Sequence, residues 1–302
     1  MAAVIKTGDH HWWPQALASF WKNETGIVHQ LFPDGWVIEQ ANTKKFGHIK
    51  NGHLIKLHAN PDIPTVWDES FEKKFGDIDG GIRTVIQWLE SLPFEPRKNV
   101  ANRRERFVPA TQNWADLNRL LELMISLVVR GPRLRHSVQD TTEYFRKRMG
   151  MNDQPASKSL INMNLRDALE RFMSSARNRG KFAVLHAIAG EFIFGDGFLH
   201  TYTSTANAPM TAEILVPLTP AIAVFWTIPS AYEPLPNLST LCLEKDEVGV
   251  INHTVLVHSR DFIFYRSQKP DIIDAFAQQK HLVYKWPGHP TIRALREELA
   301  NL

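Results

Sequence analysis

The sequence predicts an α+β fold: a single domain with a mixed or antiparallel sheet, built from N-terminal hairpins and C-terminal strands, plus a helical middle. Three observations predict it. Short β-branched and aromatic runs bounded by turn residues occupy both ends, apolar residues recur at helical spacing between about 67 and 180, and no repeat or low-complexity tract divides the chain. Residues 1–270 read as this domain, and 271–302 as a helical tail packed on it. At 302 residues, 43% of them hydrophobic, the chain is long enough to bury a large core, and nine Trp and 17 Phe supply bulky material for it.

The elements follow in order. His10-His11-Trp12-Trp13-Pro14 precedes a short helix, with Pro14 suited to its first turn and Leu17, Phe20 and Trp21 as its apolar stripe. Two hairpins come next. Ile27 to Phe32 and Trp36 to Glu39 flank Pro33-Asp34-Gly35, and Phe46 to Lys50 pairs with His53 to Leu57 around Asn51-Gly52, a strong tight-turn signal. The second hairpin puts Phe46, His48, Ile55 and Leu57 on one face, so His48 reads as a packed core-edge residue.

From Trp67 to about Ser91 the pattern is helical, interrupted at Gly80-Gly81, with Asp77 and Asp79 placed to favour the dipole of the following helix. Arg97 to Arg106 reads as a basic loop. Asn113 to Val129 is an amphipathic helix with Leu117, Leu120, Leu121, Met124, Leu127 and Val128 on its core side. Gly131-Pro132 stops it, Arg133 to Met149 forms another helix, Asn152 to Asn164 a loop, and Leu165 to Arg179 a further helix. Strands then dominate: Phe182 to Ile188, Glu191 to Phe194, Glu213 to Val216, Ile222 to Ile228 and Ser239 to Leu243. A helix from Asp246 to His258 and a strand from Phe262 to Tyr265 complete the domain. The tail, Asp271 to Leu302, reads as two helices joined by Trp286-Pro287-Gly288.

The net charge of +3 conceals a division. Residues 97 to 181 carry 18 Lys/Arg against 8 Asp/Glu, a local balance of +10, which leaves −7 for the rest. A basic middle between acidic flanks implies either an anion-binding face or electrostatic docking of one part of the chain on another. The single cysteine, Cys242, excludes an internal disulfide and a Cys-based zinc cluster, and it reads as a small buried hydrophobe. The N-terminus lacks a signal-peptide pattern, and the uncharged stretch from Ile214 to Tyr232 is broken by three prolines. A cytoplasmic protein with no membrane partner is the expectation; oligomeric state stays open.

No glycine-rich phosphate loop, HExxH helix, GxSxG elbow or dinucleotide fingerprint is present, so no nucleotide cofactor is implied. A nuclease-like Glu-x-Lys nearly occurs after Asp196, at Glu213-Ile214-Leu215, but Leu215 stands where the lysine is needed. What remains is polar residues in unusual places. His10 and His11 sit beside two Trp, Asp196 leaves a strand end between Gly195 and Gly197, and Asn252 interrupts an apolar helix face. A carboxylate in such a turn can bind a metal or cap the turn by accepting amide bonds. Arg130, at a helix end, can clamp a phosphate or offset the dipole.

At these same points the chain resembles a known family. His10-His11-Trp12-Trp13-Pro14-Gln15, Arg130-Gly131-Pro132, Phe192-Ile193-Phe194-Gly195-Asp196, Pro217-Leu218-Thr219-Pro220, and Ile251-Asn252 followed by Phe262 to Tyr265 appear in the order and spacing of the domain-of-unknown-function family 4238, across residues 9 to 267. One departure is Gly197-Phe198, where the family commonly has Asn-Pro after the Asp. The resemblance implies a shared architecture and a shared polar set, without a named reaction.

Two functions fit these residues. The first is a metal-assisted hydrolase acting on a phosphate-containing substrate, a nucleic acid or nucleotide. His11, Asp196 and Asn252 are its catalytic candidates, His11 and Asp196 ligands of a divalent metal ion, and Arg130 and His10 substrate-binding residues. The second is a non-enzymatic binding or sensor module, of the kind found in bacterial defence or stress systems, that uses its basic helical face for nucleic acid or another anionic ligand.

Overall fold

A computed structural model of the chain describes residues 9–50, 52, 53, 55, 56, 67, 68, 70–96, 103–151, 158–202, 211–280 and 290–302. The fold is α+β, with one mixed and several antiparallel sheets drawn from both ends of the sequence and a largely helical middle, as the sequence predicts. The N-terminal part runs β1 (Asp9–His11), α1 (Gln15–Ala18), β2 (Val28–Leu31), β3 (Val37–Gln40), β4 (His48–Lys50), β5 (Ile55–Lys56) and β6 (Trp67–Asp68). The middle holds α2 (Ser70–Gly80), α3 (Ile82–Glu90), α4 (Arg103–Arg106), β7 (Val108–Ala110), α5 (Trp114–Arg130), α6 (Pro132–Arg148) and α7 (Lys158–Ala176). The remainder is β8 (Lys181–Ala187), β9 (Phe194–Gly195), β10 (Leu199–His200), β11 (Glu213–Pro217), β12 (Ile222–Thr227), β13 (Leu238–Leu243), α8 (Lys245–His258), β14 (Ile263–Tyr265), α9 (Asp274–Ala277) and α10 (Pro290–Ala300).

The larger sheet has strand order β10-β11-β12-β8-β13-β7. Its strands β11 and β12 form a hairpin, β12 and β8 are antiparallel, and β8 and β13 are parallel. Every residue of β11, β12 and β13 is buried, which explains why they read as unbroken apolar runs instead of alternating ones. The second sheet, β3-β2-β14-β9, joins an N-terminal hairpin to two strands from the far end of the chain. Helix α5 is buried on nearly all sides in its second half, from Leu123 to Arg130. Its start is capped by the Asn113 side chain, which accepts the Asp116 amide at 2.9 Å.

Of the strand expected over Glu191 to Phe194 only Phe194 falls in a strand, β9, and the structure differs from the sequence reading in three further places. The turn at Gly52 forms, its amide donating to the Ile49 carbonyl, yet β4 and β5 do not pair as a hairpin. β4 pairs instead with β1, in the register His10↔Ile49 and His11↔His48, and β5 pairs with β6. The reason is the burial of Trp13. The Trp12 and Trp13 amides both donate to the Gly47 carbonyl, at 2.8 and 3.1 Å. The Trp13 indole then stacks on Phe194 of β9 at 4.8 Å and packs against Phe264 of β14 and Phe46. Gly47 has φ +68°, and a Cβ there would stand 2.8 Å from that of Trp13, so the close approach requires glycine.

The second difference is α7, which begins at Lys158 inside the stretch read as a loop. Its Asn162 is buried, and the side-chain oxygen accepts a hydrogen bond from Arg135 at 3.0 Å. Third, the basic loop reading holds only in part, because Arg103–Arg106 is a helical turn, and 97–102 lie outside the described residues. The predicted tail helices correspond to α9 and α10; Trp286-Pro287-Gly288 lies outside the described residues.

Trp13→Ala is expected to cost about 3–5 kcal/mol in urea unfolding, the range for emptying a large aromatic site. Faster amide exchange in β1 and β4 than in the larger sheet will check that the loss is centred on this junction.

Candidate metal centre

The β1–β4 pairing carries the two N-terminal histidines to the end of α2. His10 is buried and lies face to face with His53, ring centroids 5.1 Å apart. Its Nδ1 accepts the His53 amide at 3.1 Å. The His53 ring nitrogen Nδ1 is in turn hydrogen-bonded to a Glu72 carboxylate oxygen, in the first turn of α2. One ligand atom from each of His10, His53 and Glu72 falls within 4.8 Å of the other two.

Of these groups His53 and Glu72 line a cavity of about 180 Å³, together with His11, Gln15, Ala16, Phe75, Asp79 and Arg130. His11 Nε2 is 3.3 Å from the side-chain amide nitrogen of Gln15, the first residue of α1. Arg130, the last residue of α5, is buried and crosses to α2. Its Nη1 and Nη2 donate to the two Asp79 oxygens at 3.0 and 2.6 Å, Nη2 also reaches Ser126 Oγ at 2.9 Å, and the guanidinium lies 4.8 Å over the Phe75 ring. Arg135 braces the same turn from behind, donating to the Gly52 carbonyl and to Asn162.

The electrostatics follow from burial. Removal from water lowers His53 to about 4, aided by the Arg130 and Arg135 charges and only partly opposed by Glu72. Burial alone would raise the Glu72 carboxyl, but the hydrogen bond from His53 and the nearby cationic groups bring it below its ordinary value. At neutral pH the pair is a neutral imidazole donating to a carboxylate. Among the lining residues with formal charge, Glu72 and Asp79 outweigh Arg130, leaving the cavity at −1.

Asp196 and Asn252 do different work. The Asp196 oxygens accept the amides of Arg260 at 2.8 Å and Asp261 at 2.9 Å, and its own amide donates to the Phe262 carbonyl. This clamps the strand end to the turn after α8. The flanking glycines are required there, because a Cβ on Gly197 would lie 1.9 Å from the His258 carbonyl oxygen and one on Gly195 1.9 Å from Ser259 Oγ. Burial pushes the Asp196 carboxyl up to about 7, against the pull of its amide donors. Asn252 accepts the Ile193 amide at 3.0 Å and donates to the Glu191 carbonyl at 2.8 Å, fastening the same strand to α8. It also lines a second cavity, of about 300 Å³, with Glu191, Lys245 and His253.

Neither Asp196 nor Asn252 lines the cavity that holds His11 and Arg130. Among the described residues the donor set that the fold assembles is His10, His53 and Glu72, and the expected ligand pair of His11 with Asp196 has no counterpart in it. His53 and Glu72 were not singled out from sequence. Glu72 carries the signature of an ordinary acidic first turn, and His53 stood in a predicted hairpin strand; no local signal marks either.

Part of the basic middle is spent inside the molecule. Arg106 forms a two-point ion pair with Glu247, Arg130 with Asp79, and Arg166 reaches Asp68 at 3.0 Å. Arg133 donates to the Phe198 carbonyl at 2.5 Å. No helix among the described residues is long and apolar enough to cross a membrane. No protein-family model, curated protein or solved structure matches the chain.

The unfolded chain binds a proton at His53 below pH 6.5, the folded chain only near pH 4. Stability conferred by this residue is therefore complete above pH 6.5 and is lost as pH falls toward 4, by about 3 kcal/mol in all. Comparing wild type with His53→Asn by urea unfolding isolates it from Asp196, whose raised pKa works in the opposite direction. The stability advantage of wild type is expected to shrink by that amount between pH 7 and pH 4.

Proposed function

We propose that the chain is a metal-assisted hydrolase of a phosphate-containing substrate, a nucleotide or nucleic acid, with a divalent ion held by His10, His53 and Glu72. The observation that carries the reading is the convergence of these three donors from β1, the Gly52 turn and α2. Two imidazoles and a carboxylate are the donor set of zinc and its neighbours in the first transition row, not of an ion held by oxygen alone. The fit is helped by protonation state: His53 is neutral at pH 7, so little proton competition opposes a ligand bond.

A divalent ion so held would supply an acidified water and a positive centre for a phosphoryl oxygen. The chain's own groups complete the arrangement. The cavity's formal charge of −1 favours a cation, and a divalent ion would turn it to +1, the sign that a phosphate ester requires. His11, held beside Gln15 in the cavity wall, is the candidate to take or return a proton. Arg130 has its terminal nitrogens committed to Asp79, so it orients the cavity floor, and its contribution to phosphate binding is through charge. Asp196 and Asn252 support the fold of the strand behind the site. The binding-module reading has less to draw on, since Arg106, Arg130 and Arg166 of the basic middle are paired internally.

Loading the purified chain with Zn²⁺ or Mn²⁺ and assaying phosphomonoester and phosphodiester substrates tests the proposal. One ion per chain is expected, with turnover that falls about 100-fold or more in Glu72→Gln and His53→Ala. Bound metal without turnover on any phosphate ester contradicts the hydrolase; turnover undiminished in both variants contradicts the site.

A further inference from the structure

Helix α6 ends in a patch that none of the preceding chemistry uses. Tyr144, Phe145, Met149 and Met151 are 54%, 56%, 65% and 53% exposed, four large apolar side chains within eight residues. Between Tyr144 and Met151 the sequence also holds Arg146, Lys147 and Arg148 and no acid. Phe145 and Met149 are four apart and share one helical face, as do Tyr144 and Arg148. The result is an apolar stripe edged by cations. Cations in a last turn offset the helix dipole, but that accounts for none of the exposed apolar groups.

We propose that this end of α6 is a docking surface for an anionic lipid bilayer. Charge complementarity carries the choice. Apolar side chains set among cations suit a bilayer interface, where the former enter the acyl boundary and the latter meet lipid phosphates. A single nucleic-acid strand is the poorer occupant, because base stacking needs an open aromatic face. The Arg148 guanidinium lies 5.4 Å over the Tyr144 ring, Phe145 meets that ring edge-on at 5.5 Å, and the two methionines offer no planar face. The flexible thioethers are suited to an irregular apolar medium. This surface is independent of the metal reading.

The test is sedimentation of the whole chain with vesicles of phosphatidylcholine, alone or with about a third phosphatidylglycerol. Binding is expected to rise about tenfold with the anionic lipid and to fall as salt is raised. Phe145→Ser combined with Met149→Ser is expected to remove most of it without changing the melting temperature, because both positions are exposed. Lys147→Gln with Arg148→Gln gives a second, chemically distinct loss. Equal recovery with both vesicle types overturns the proposal, as does binding that neither variant pair weakens. So does a result in which the apolar pair abolishes single-stranded oligonucleotide binding, or a dimer of this chain, and leaves vesicle binding unchanged.

Discussion

The burial of Trp13 is the constraint on which the rest of the structure depends. Its backbone ties the N-terminal strand to Gly47, and its ring closes the space between Phe46, Phe194 and Phe264. Segments from three distant parts of the sequence therefore meet at one side chain. Neighbouring Trp21 extends the junction to the larger sheet, donating from its indole to the Leu218 carbonyl at 3.2 Å. The Trp13 indole nitrogen is buried without an acceptor among the described residues, a loss of about 1–3 kcal/mol that the packing of so large a ring must offset. Once this junction forms, β1 can lie only beside β4, and His10 is delivered against His53.

Electrostatics acts within that frame and at close range. The Arg130–Asp79 pair joins the end of α5 to the end of α2, so the helix that carries Glu72 is held from its far terminus. Arg135 holds the Gly52 turn that carries His53. Two buried guanidinium groups thus fix two of the three elements whose side chains form the candidate centre, and the same charges help keep His53 neutral. A buried charge left without its partner costs several kcal/mol, which makes both braces stiff. The divided charge of the sequence resolves in part into internal docking, through Arg106, Arg130 and Arg166. Other cations stay exposed, among them Arg119 on α5 and Arg177 after α7, and Lys147 and Arg148 at the end of α6 stand among apolar side chains.

Elements decided by local pattern were legible in the sequence. α5, β11, β12 and α8 follow from periodicity, buried runs and turn residues, and Gly80-Gly81 does separate α2 from α3. Partners decided by distant packing were not. Alternation in 46–57 places side chains on a face without naming the strand that pairs with it, and Asp9–His11 has none of the composition of a strand. The candidate site was legible only in fragments. His10 and His11 stood out beside their tryptophans, and Arg130 at its helix end, but His53 and Glu72 acquire meaning only when three segments converge. Asp196 was conspicuous because a carboxylate between glycines is unusual. Its oxygens accept backbone amides, the turn-capping alternative that such a residue always carries.

The most direct test of the account is X-ray absorption at the zinc edge on the whole chain loaded with one equivalent of Zn²⁺. The account predicts a first shell with two imidazole nitrogens and a carboxylate oxygen at about 2.0–2.2 Å, losing one imidazole in His10→Ala and the other in His53→Ala. A protein that takes up no zinc, or one whose zinc shell is unaltered by either substitution, would contradict it.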